Sequence, residues 1–182
     1  MTTICVPTAH NNSDIASVGL WQFDGNLNDS SGGGNNLSVS TGTARYTDLF
    51  SGVDTTNGGG LRGLLLDGST VVGLSSSNGT FQITGNLTIE FIITLGMPPG
   101  SNIYLFSHGA SGESAATNYL YSLRVLPTNQ LSYFAEHSSG TDIQFDSDAC
   151  LCPGEPTHVA MVRSSAQISL YLNGILVGAA SS

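Results

Sequence analysis

Oxygen-bearing side chains cluster in two short stretches of this sequence. The first stretch comprises Asp24, Asn26, Asn28 and Asp29, just before a run of three glycines at 32–34. Calcium in proteins takes roughly six to eight oxygen ligands from carboxylates, amides and backbone carbonyls. The stretch therefore has the composition of a calcium-binding loop. The alternative is an Asx-turn loop, in which the same side chains accept hydrogen bonds from their own backbone.

The second stretch is TDIQFDSDAC, residues 141–150. As a strand it would place Asp142, Gln144, Asp146 and Asp148 on one face, with carboxylates two positions apart separated by roughly 6.5 to 7 Å. That distance lies within the range of the acid and base pairs of glycoside hydrolases. A solvated acidic face and a second calcium site are the other two interpretations.

Aromatic rings could add stacking surface for a sugar. The candidates are Tyr46, Tyr104, Tyr119, Tyr121 and Tyr133. Tyr119 is the best placed of them, because it directly follows the polar loop GASGESAATN. We therefore expect Tyr119, Asp146 and Asp148 to contact a ligand.

The histidines do not complete a catalytic group. His108 and His137 lie at predicted strand ends beside Ser and Glu, but no Gly-x-Ser-x-Gly elbow accompanies them. His158 lies inside an alternating strand pattern, where packing is the expected role. We therefore assign no catalytic residue and expect no enzyme activity.

Composition limits the classes of partner. Of 182 residues only 9% are charged, against about 25% in an average soluble domain, and the formal net charge is −9. Lysine is absent, so the four cations are all arginines. Such a chain is unsuited to nucleic-acid phosphates or to an anionic membrane surface. No apolar run reaches the ~18 residues of a membrane span, so we expect no membrane insertion.

The first residues, MTTICVPTAHNN, lack the basic and apolar regions of a secretory signal. The hydroxyl- and amide-rich composition is nevertheless typical of extracellular proteins. A protein can leave a cell without a signal peptide inside a particle such as a virion. We therefore expect a virion or extracellular location.

The three cysteines cannot all pair with one another. Cys150 and Cys152 are too close in sequence for an easy mutual disulfide, whereas a bond from Cys5 to either is possible. Reduced thiols are the alternative. The spacing does not match a structural zinc site, which needs four ligands.

Hydrophobic residues recur with a period of two along most of the chain, as in half-buried strands. In NLTIEFIITL the apolar face is Leu87, Ile89, Phe91, Ile93 and Leu95. Asn173-Gly174 is a strong two-residue hairpin signal. The sequence predicts an all-β, antiparallel, two-sheet sandwich. Trp21, in an opening strand over 19–23, should be buried in that sandwich with Phe91 and Leu170.

Residues 1–16 lack the alternation of apolar and polar residues that marks the rest of the chain, and they are predicted to form an N-terminal arm. Residues 17–182 are predicted to form the sandwich, interrupted by a long loop over 51–63. The arm is too poor in apolar residues to form a core of its own. We expect Cys5, Val6 and Pro7 to order against a neighbouring subunit.

The order of these pieces resembles a laminin-G-like domain of the concanavalin A-like lectin/glucanase superfamily. The resemblance covers about residues 18–178 and is carried by GLWQFDGNLNDSSGGGNNL, GLLLDGSTVVGL, FQITGNLTIEFIITL, IYLFSHG and THVAMVRSSAQISLYLNGILVG. It implies a jelly-roll sandwich, and it implies that the opening loop, Asp29 above all, helps to bind calcium. Related glucanases carry a Glu-x-Asp-x-Glu run that this sequence lacks.

Two departures from the family pattern bear on assembly and packing. Pro156 and Thr157 precede His158 where the family has a tryptophan. The family also continues with closing strands after the hairpin, whereas this sequence stops at Ser182. We expect either that those strands are dispensable or that a neighbouring subunit completes the sheet edge.

These observations favour a structural or adhesive virion component that displays the sandwich and binds host-surface glycans. The expected partners are other subunits of an assembly, in a homo-oligomer or with virion proteins, and glycans. The alternative is a calcium-assisted carbohydrate-binding module of a secreted or surface protein. A glycoside hydrolase ranks third.

Overall fold

The computed structural model describes residues 17–48, 62–74, 81, 83, 85–109, 121–136 and 142–181. Within these residues the chain contains twelve strands and no helix, and every strand pair is antiparallel. The predicted all-β antiparallel class is therefore confirmed. The chain forms two compact units, Met1–Asn78 and Gly79–Ser182.

The N-terminal unit contains two small sheets. Its strands are β1 (Leu37–Thr41), β2 (Arg45–Asp48), β3 (Arg62–Leu65) and β4 (Val71–Leu74). Strand β1 pairs with β4, and β2 pairs with β3. The turn before β4 is built on Asp67, whose Oδ1 accepts hydrogen bonds from the backbone N–H groups of Ser69 and Thr70.

The prediction of a strand over 19–23 is wrong. The Leu20 N–H donates to Asp29 Oδ1, and the Leu20 carbonyl accepts from the Ser30 N–H at 2.7 Å, so a loop takes the bonds that a ladder would need. Phe23 has a φ of 55°, which no strand contains. Trp21 is half-buried rather than buried, and its indole N–H donates to the Asn35 carbonyl.

The C-terminal unit is a sandwich of two four-stranded sheets. Its strands are β5 (Leu87–Thr94), β6 (Ile103–His108), β7 (Tyr121–Val125), β8 (Gln130–Ala135), β9 (Ile143–Cys150), β10 (Pro156–Arg163), β11 (Gln167–Leu172) and β12 (Ile175–Ser181). One sheet has the order β12-β11-β10-β5, and the other has the order β6-β7-β8-β9.

One hydrophobic core lies between these two sheets. Leu170 is fully buried in it, as predicted, and Phe91 is half-buried and packs against it. The fully buried aliphatic and aromatic residues come from both sheets: Leu123, Val125, Leu131, Tyr133, Val159, Met161, Ile168 and Leu170. Because side chains alternate along a strand, the residues between them face away from the core.

The predicted hairpin at Asn173-Gly174 is confirmed. Leu172 pairs directly with Ile175, and the two turn residues have φ values of 50° and 79°. Positive φ at both positions is the requirement of a type I′ turn. The Asn173 side chain also accepts a hydrogen bond from the His158 N–H, which ties the turn to β10.

Several predictions fall on residues outside the described part. They concern the arm with Cys5, Val6 and Pro7, most of the 51–63 loop, Tyr119 and His137. The predicted domain bounds, 1–16 and 17–182, stay predictions for the same reason. No described segment forms a helix that could cross a membrane.

Candidate functional site

The outer face of the β6-β7-β8-β9 sheet, opposite the core, carries a row of four polar side chains. In strand register Tyr104 pairs with Arg124, Arg124 with Ser132, and Ser132 with Asp146. Each strand thus contributes one residue, and three strand spacings of ~4.8 Å give the row a length of about 14 Å. We call these four residues the polar row.

The polar row is exposed at its two ends and buried in the middle. Tyr104 is 57% exposed and Asp146 is also exposed, whereas Arg124 is half-buried and Ser132 is 0% exposed. The ring and the carboxylate are therefore available at the surface, and the two central residues lie beneath it.

The two central residues carry buried polar atoms that lack hydrogen-bond partners. These atoms are Arg124 Nε and Ser132 Oγ, on directly paired residues of adjacent strands. Leaving a buried polar atom unsatisfied costs about 1–3 kcal/mol. Most such groups in proteins are satisfied, so two neighbouring exceptions call for a functional explanation. An N–H donor and a hydroxyl together suit an incoming oxygen atom.

A second row lies beside the first on the same face. It consists of Ser107, Ser122, Phe134 and Gln144, which are also paired in register across the four strands. Phe134 is half-buried, and Ser107 and Gln144 are exposed. The face thus combines aromatic surface for stacking with hydroxyl, amide and carboxylate groups for hydrogen bonds to a polar ligand.

A β-bulge in β9 positions the acidic residues. The register places Ser132 opposite Asp146 but Gln130 opposite Cys150, so β9 has four steps where β8 has two. Inside the bulge, Ser147 Oγ accepts from the Leu131 N–H at 3.0 Å and donates to the Ala149 carbonyl at 2.6 Å. These bonds hold Ser147 in the interior and leave Asp148 exposed.

The structure therefore places two of the three predicted ligand residues, Asp146 and Asp148, on this outer face. Tyr119 lies outside the described residues. Sequence reasoning assigned no role to Arg124 and Ser132, and it ranked Tyr104 below Tyr119. The available signal was a polar residue between apolar ones, Arg124 between Leu123 and Val125, in a strand of the core.

The opening loop is organised around the Asp29 carboxylate. Its Oδ1 accepts from the backbone N–H groups of Leu20 and Ser31, and its Oδ2 accepts from that of Asn35, at 2.8–2.9 Å. Burial by itself would raise the pKa of Asp29. Its hydrogen bonds with Leu20, Ser31 and Asn35 outweigh burial and hold the pKa at about 2.

The side chains of two other predicted metal ligands, Asp24 and Asn26, are also engaged within the loop. Asn26 Oδ1 accepts from the Asn28 N–H, and Asn26 Nδ2 donates to Asp24 Oδ1. A carboxylate has about four acceptor positions, and backbone N–H groups take three of them on Asp29. This geometry fits the Asx-turn interpretation better than a calcium cage. Calcium binding by Asp24, Asn26, Asn28 and Asp29 stays a prediction.

Two histidines of the C-terminal unit contact neighbouring side chains. His158 Nε2 lies 3.4 Å from Glu90 Oε2 on the outer face of the other sheet, where both side chains are partly exposed. His108 stacks on the Tyr121 ring, with centroids 5.2 Å apart. In the described part of the chain, no three His, Cys, Asp or Glu residues are grouped to hold a metal ion.

Cys150 and Cys152 are free, exposed thiols. Both line a cavity of about 240 Å³ at one rim of the sandwich, together with Glu155 and Asn173. Cys5, the proposed disulfide partner, lies outside the described residues.

Comparison with known proteins gives a family and a fold. The model of the concanavalin A-like lectin/glucanases superfamily matches residues 66–182. Comparison with curated proteins found no match.

The chain is similar to several solved structures. Domain 4 of AbnA, a GH43 extracellular arabinanase from Geobacillus stearothermophilus solved in complex with arabinotriose, is 17% identical with a TM-score of 0.55, over 86% of this chain and 70% of that one. An S-layer domain-containing protein from Clostridium thermocellum is 24% identical with a TM-score of 0.48, over 89% and 71%. A SAP-like pentraxin from Limulus polyphemus is 20% identical with a TM-score of 0.37, over 52% and 43%.

Proposed function

Since the chain belongs to the concanavalin A-like lectin/glucanase superfamily, we propose that it is a glycan-binding module whose ligand lies on the outer face of the β6-β7-β8-β9 sheet. The observation that carries this proposal is the polar row, with its two buried and unpartnered polar atoms. The arabinanase domain of similar fold holds arabinotriose, which supports the choice of oligosaccharides as ligands.

Each part of the polar row suits one part of a sugar. The exposed Tyr104 ring offers a flat apolar surface for the C–H face of a sugar ring. The Asp146 carboxylate accepts hydrogen bonds from hydroxyl groups. Ser132 Oγ and Arg124 Nε offer an O–H and an N–H to ligand oxygens. Ligand binding would thus satisfy two groups that the free protein leaves unsatisfied.

The central contacts require one side chain to move. Arg124 Nε and Ser132 Oγ are both buried, so a ligand oxygen reaches them only after a covering side chain moves, and we propose that the half-buried Arg124 changes rotamer. Such side-chain changes are common at binding sites whose backbone stays fixed. Tyr104 and Asp146 need no rearrangement, so we propose that they make the first contacts.

The proposal is binding without hydrolysis. A glycosidase needs a general acid, and burial in an apolar pocket is the usual way to keep a carboxylic acid protonated near neutral pH. Asp146 and Asp148 are both exposed, so neither has that environment. This supports a lectin-like rather than a glucanase-like activity.

The test is calorimetric titration with a panel of neutral oligosaccharides that includes arabinotriose. We expect saturable binding that Tyr104→Ala and Arg124→Ala each weaken by about tenfold or more, which is 1.4 kcal/mol. Tyr171→Ala is the matched control, because Tyr171 is a half-buried tyrosine on the outer face of the other sheet. Absence of binding across the panel, or equal losses in Tyr171→Ala and Tyr104→Ala, would overturn the proposal.

A second candidate function, as a subunit of an adhesive assembly, rests on strand β12. In the described sheets β12 is an end strand, it carries no charged residue, and Ile175 and Leu176 are 69% and 55% exposed. Natural edge strands are usually protected by charges, prolines or a covering element. We propose that β12 contacts another subunit, in a virion or a surface assembly.

Light scattering at increasing protein concentration tests the subunit proposal. We expect oligomers that Leu176→Lys disrupts, with Thr88→Lys on the opposite end strand β5 as the control. A monomer at all concentrations would contradict it. The contact of the arm residues Cys5, Val6 and Pro7, and the virion setting itself, stay predictions.

A further inference from the structure

We infer that the ligand of the polar row is a neutral oligosaccharide that lies across the four strands, and not an anionic glycan. This inference names the ligand class of the proposed site and therefore rests on the proposed function. It is carried by the charges of the outer face, by the kind of buried atoms at its centre, and by the length of the row.

The outer face repels anions at its β9 side. Asp142, Asp146 and Asp148 are all exposed there, and Gln144 lies between them. Arg124 is the single arginine of strands β6 to β9, and it is half-buried. The whole chain, with these aspartates included, has a formal net charge of −9. A uronic acid would bring its carboxylate towards three like charges, against the one arginine of strands β6 to β9, so its binding should be disfavoured, most of all at low salt.

The two unpartnered atoms suit the hydroxyl groups of a neutral sugar. Arg124 offers one buried N–H, and the directly paired Ser132 offers a hydroxyl, which can both donate and accept. A sugar hydroxyl has the same double capacity, so it can accept from the Arg124 N–H and can either donate to Ser132 or accept from it.

The length of the row favours a short chain over a single sugar. Tyr104 and Asp146 lie on the two end strands of the sheet, about 14 Å apart by strand spacing. A single sugar ring cannot reach both of these residues. The ligand must therefore cross the strands and place one ring on Tyr104 and another near Asp146, with the buried pair beneath the middle.

The test compares arabinotriose, arabinose and trigalacturonate, by calorimetry at low and at physiological salt. We expect arabinotriose to bind at least about tenfold more tightly than trigalacturonate at low salt, with a smaller difference at higher salt. Arabinose should bind at least about tenfold more weakly than arabinotriose. Arabinotriose is chosen because it is neutral and three sugars long. Xylotriose and cellotriose share both properties, so they are measured beside it.

Two variants distinguish the effect of a charge on the outer face of the β6-β7-β8-β9 sheet from the effect of the net charge of the protein. Asp146→Asn should narrow the preference for the neutral trisaccharide by about threefold or more, because one of the three repelling carboxylates is removed. Glu90→Gln makes the same change in net charge on the outer face of the other sheet and should leave the preference unchanged. Both positions are exposed, and melting curves verify that each variant is folded.

The outcomes distinguish the inference from the proposed function. If neither neutral nor anionic glycans bind the folded protein, the proposed function fails. If trigalacturonate binds more tightly than every neutral trisaccharide, the inference is wrong while the glycan-binding function stands. If arabinose binds as tightly as arabinotriose, the ligand does not cross the strands and the inference is also wrong.

Discussion

Arg124 and Ser132 face each other in direct register across β7 and β8, and each retains a buried polar atom without a hydrogen-bond partner. Such a pair lowers the stability of the free protein. It can persist where a ligand supplies the missing partner, as binding sites commonly trade stability for function. The relationship leads directly to a measurable contrast between two serines.

Ser132→Ala should stabilise the free protein by about 1–3 kcal/mol and weaken glycan binding, because it removes an unsatisfied hydroxyl. Ser147→Ala is the matched control. Ser147 is 1% exposed, like the fully buried Ser132, but its hydroxyl makes two hydrogen bonds. That substitution should destabilise the protein. Urea unfolding followed by circular dichroism measures both, and a loss of stability in Ser132→Ala would mean that its hydroxyl has a structural partner.

Acid should destabilise the opening loop in a defined pH window. Hydrogen bonds hold the pKa of Asp29 at about 2 in the folded protein, below its ordinary value of 3.8. Stability from this carboxylate is therefore fully present above about pH 4 and is lost as the pH falls through about 2. Asp67, hydrogen-bonded by Ser69 and Thr70, has the same lowered pKa and should lose its contribution in the same window.

Fluorescence of Trp21, the single tryptophan, reports on this loop because its indole donates to Asn35. The stability difference between wild type and Asp29→Asn should be constant from pH 7 to about 4 and should shrink towards pH 2. A difference that stays constant down to pH 2 would show that these hydrogen bonds do not hold the pKa of Asp29 at about 2.

Calcium binding by the opening loop predicts that chelation lowers the melting temperature. Mass action gives about 2.7 kcal/mol of stabilisation for a site at 100-fold saturation. Asp29→Ala should abolish the calcium dependence, while Asp146→Asn on β9 should leave it unchanged. Identical melting curves with calcium and with EDTA would contradict the assignment and leave the Asx turns as the sole organisation of the loop.

Gly174→Ala should destabilise the β11–β12 hairpin by about 1 kcal/mol, because Gly174 has a φ of 79° that an alanine adopts only with strain. Gly100→Ala is the control, since an added Cβ there meets no atom within 4 Å and the backbone has no positive φ. Thermal unfolding of the two variants measures the difference. Equal effects would mean that the turn is not type I′.

Thiol alkylation at pH 8 under native conditions tests the cysteines. Peptide mapping should find both Cys150 and Cys152 modified without reduction, because both are free and exposed. A bond from Cys5, the alternative that the sequence leaves open, would instead protect one of the two until a reductant is added.

Features that depend on the local residue pattern could be predicted from the sequence. Features that depend on which segments hydrogen-bond with each other could not. Alternation alone identified the inward face of β5 and the outward acidic residues of β9, and Asn173-Gly174 alone identified a hairpin. The predicted strand at Trp21 failed because Asp29 and Ser30, nine and ten residues beyond Leu20, take its backbone bonds.

The polar row could not be predicted from any single strand. Arg124 and Ser132 each lie between two buried apolar residues of their own strand, and only the register of β7 with β8 brings them together. The register of β8 with β9 depends in turn on the bulge at Ser147, whose hydrogen bonds are made by a side chain and not by a repeating pattern.

The bulge in β9 imposes a parity rule on changes in chain length. Between the pairs Ser132–Asp146 and Gln130–Cys150, β9 advances by four residues and β8 by two, so β9 has two extra residues. Because side chains alternate between the two faces, an even number of extra residues leaves every later residue on its original face. Deleting one residue there would turn Asp146 and all residues before it towards the core. Deleting two would shorten the strand and remove Asp148, yet keep Asp146 beside Ser132. Length variation at this point can therefore change which side chains the outer face carries while the residues before the bulge keep their orientation, provided that it occurs in pairs.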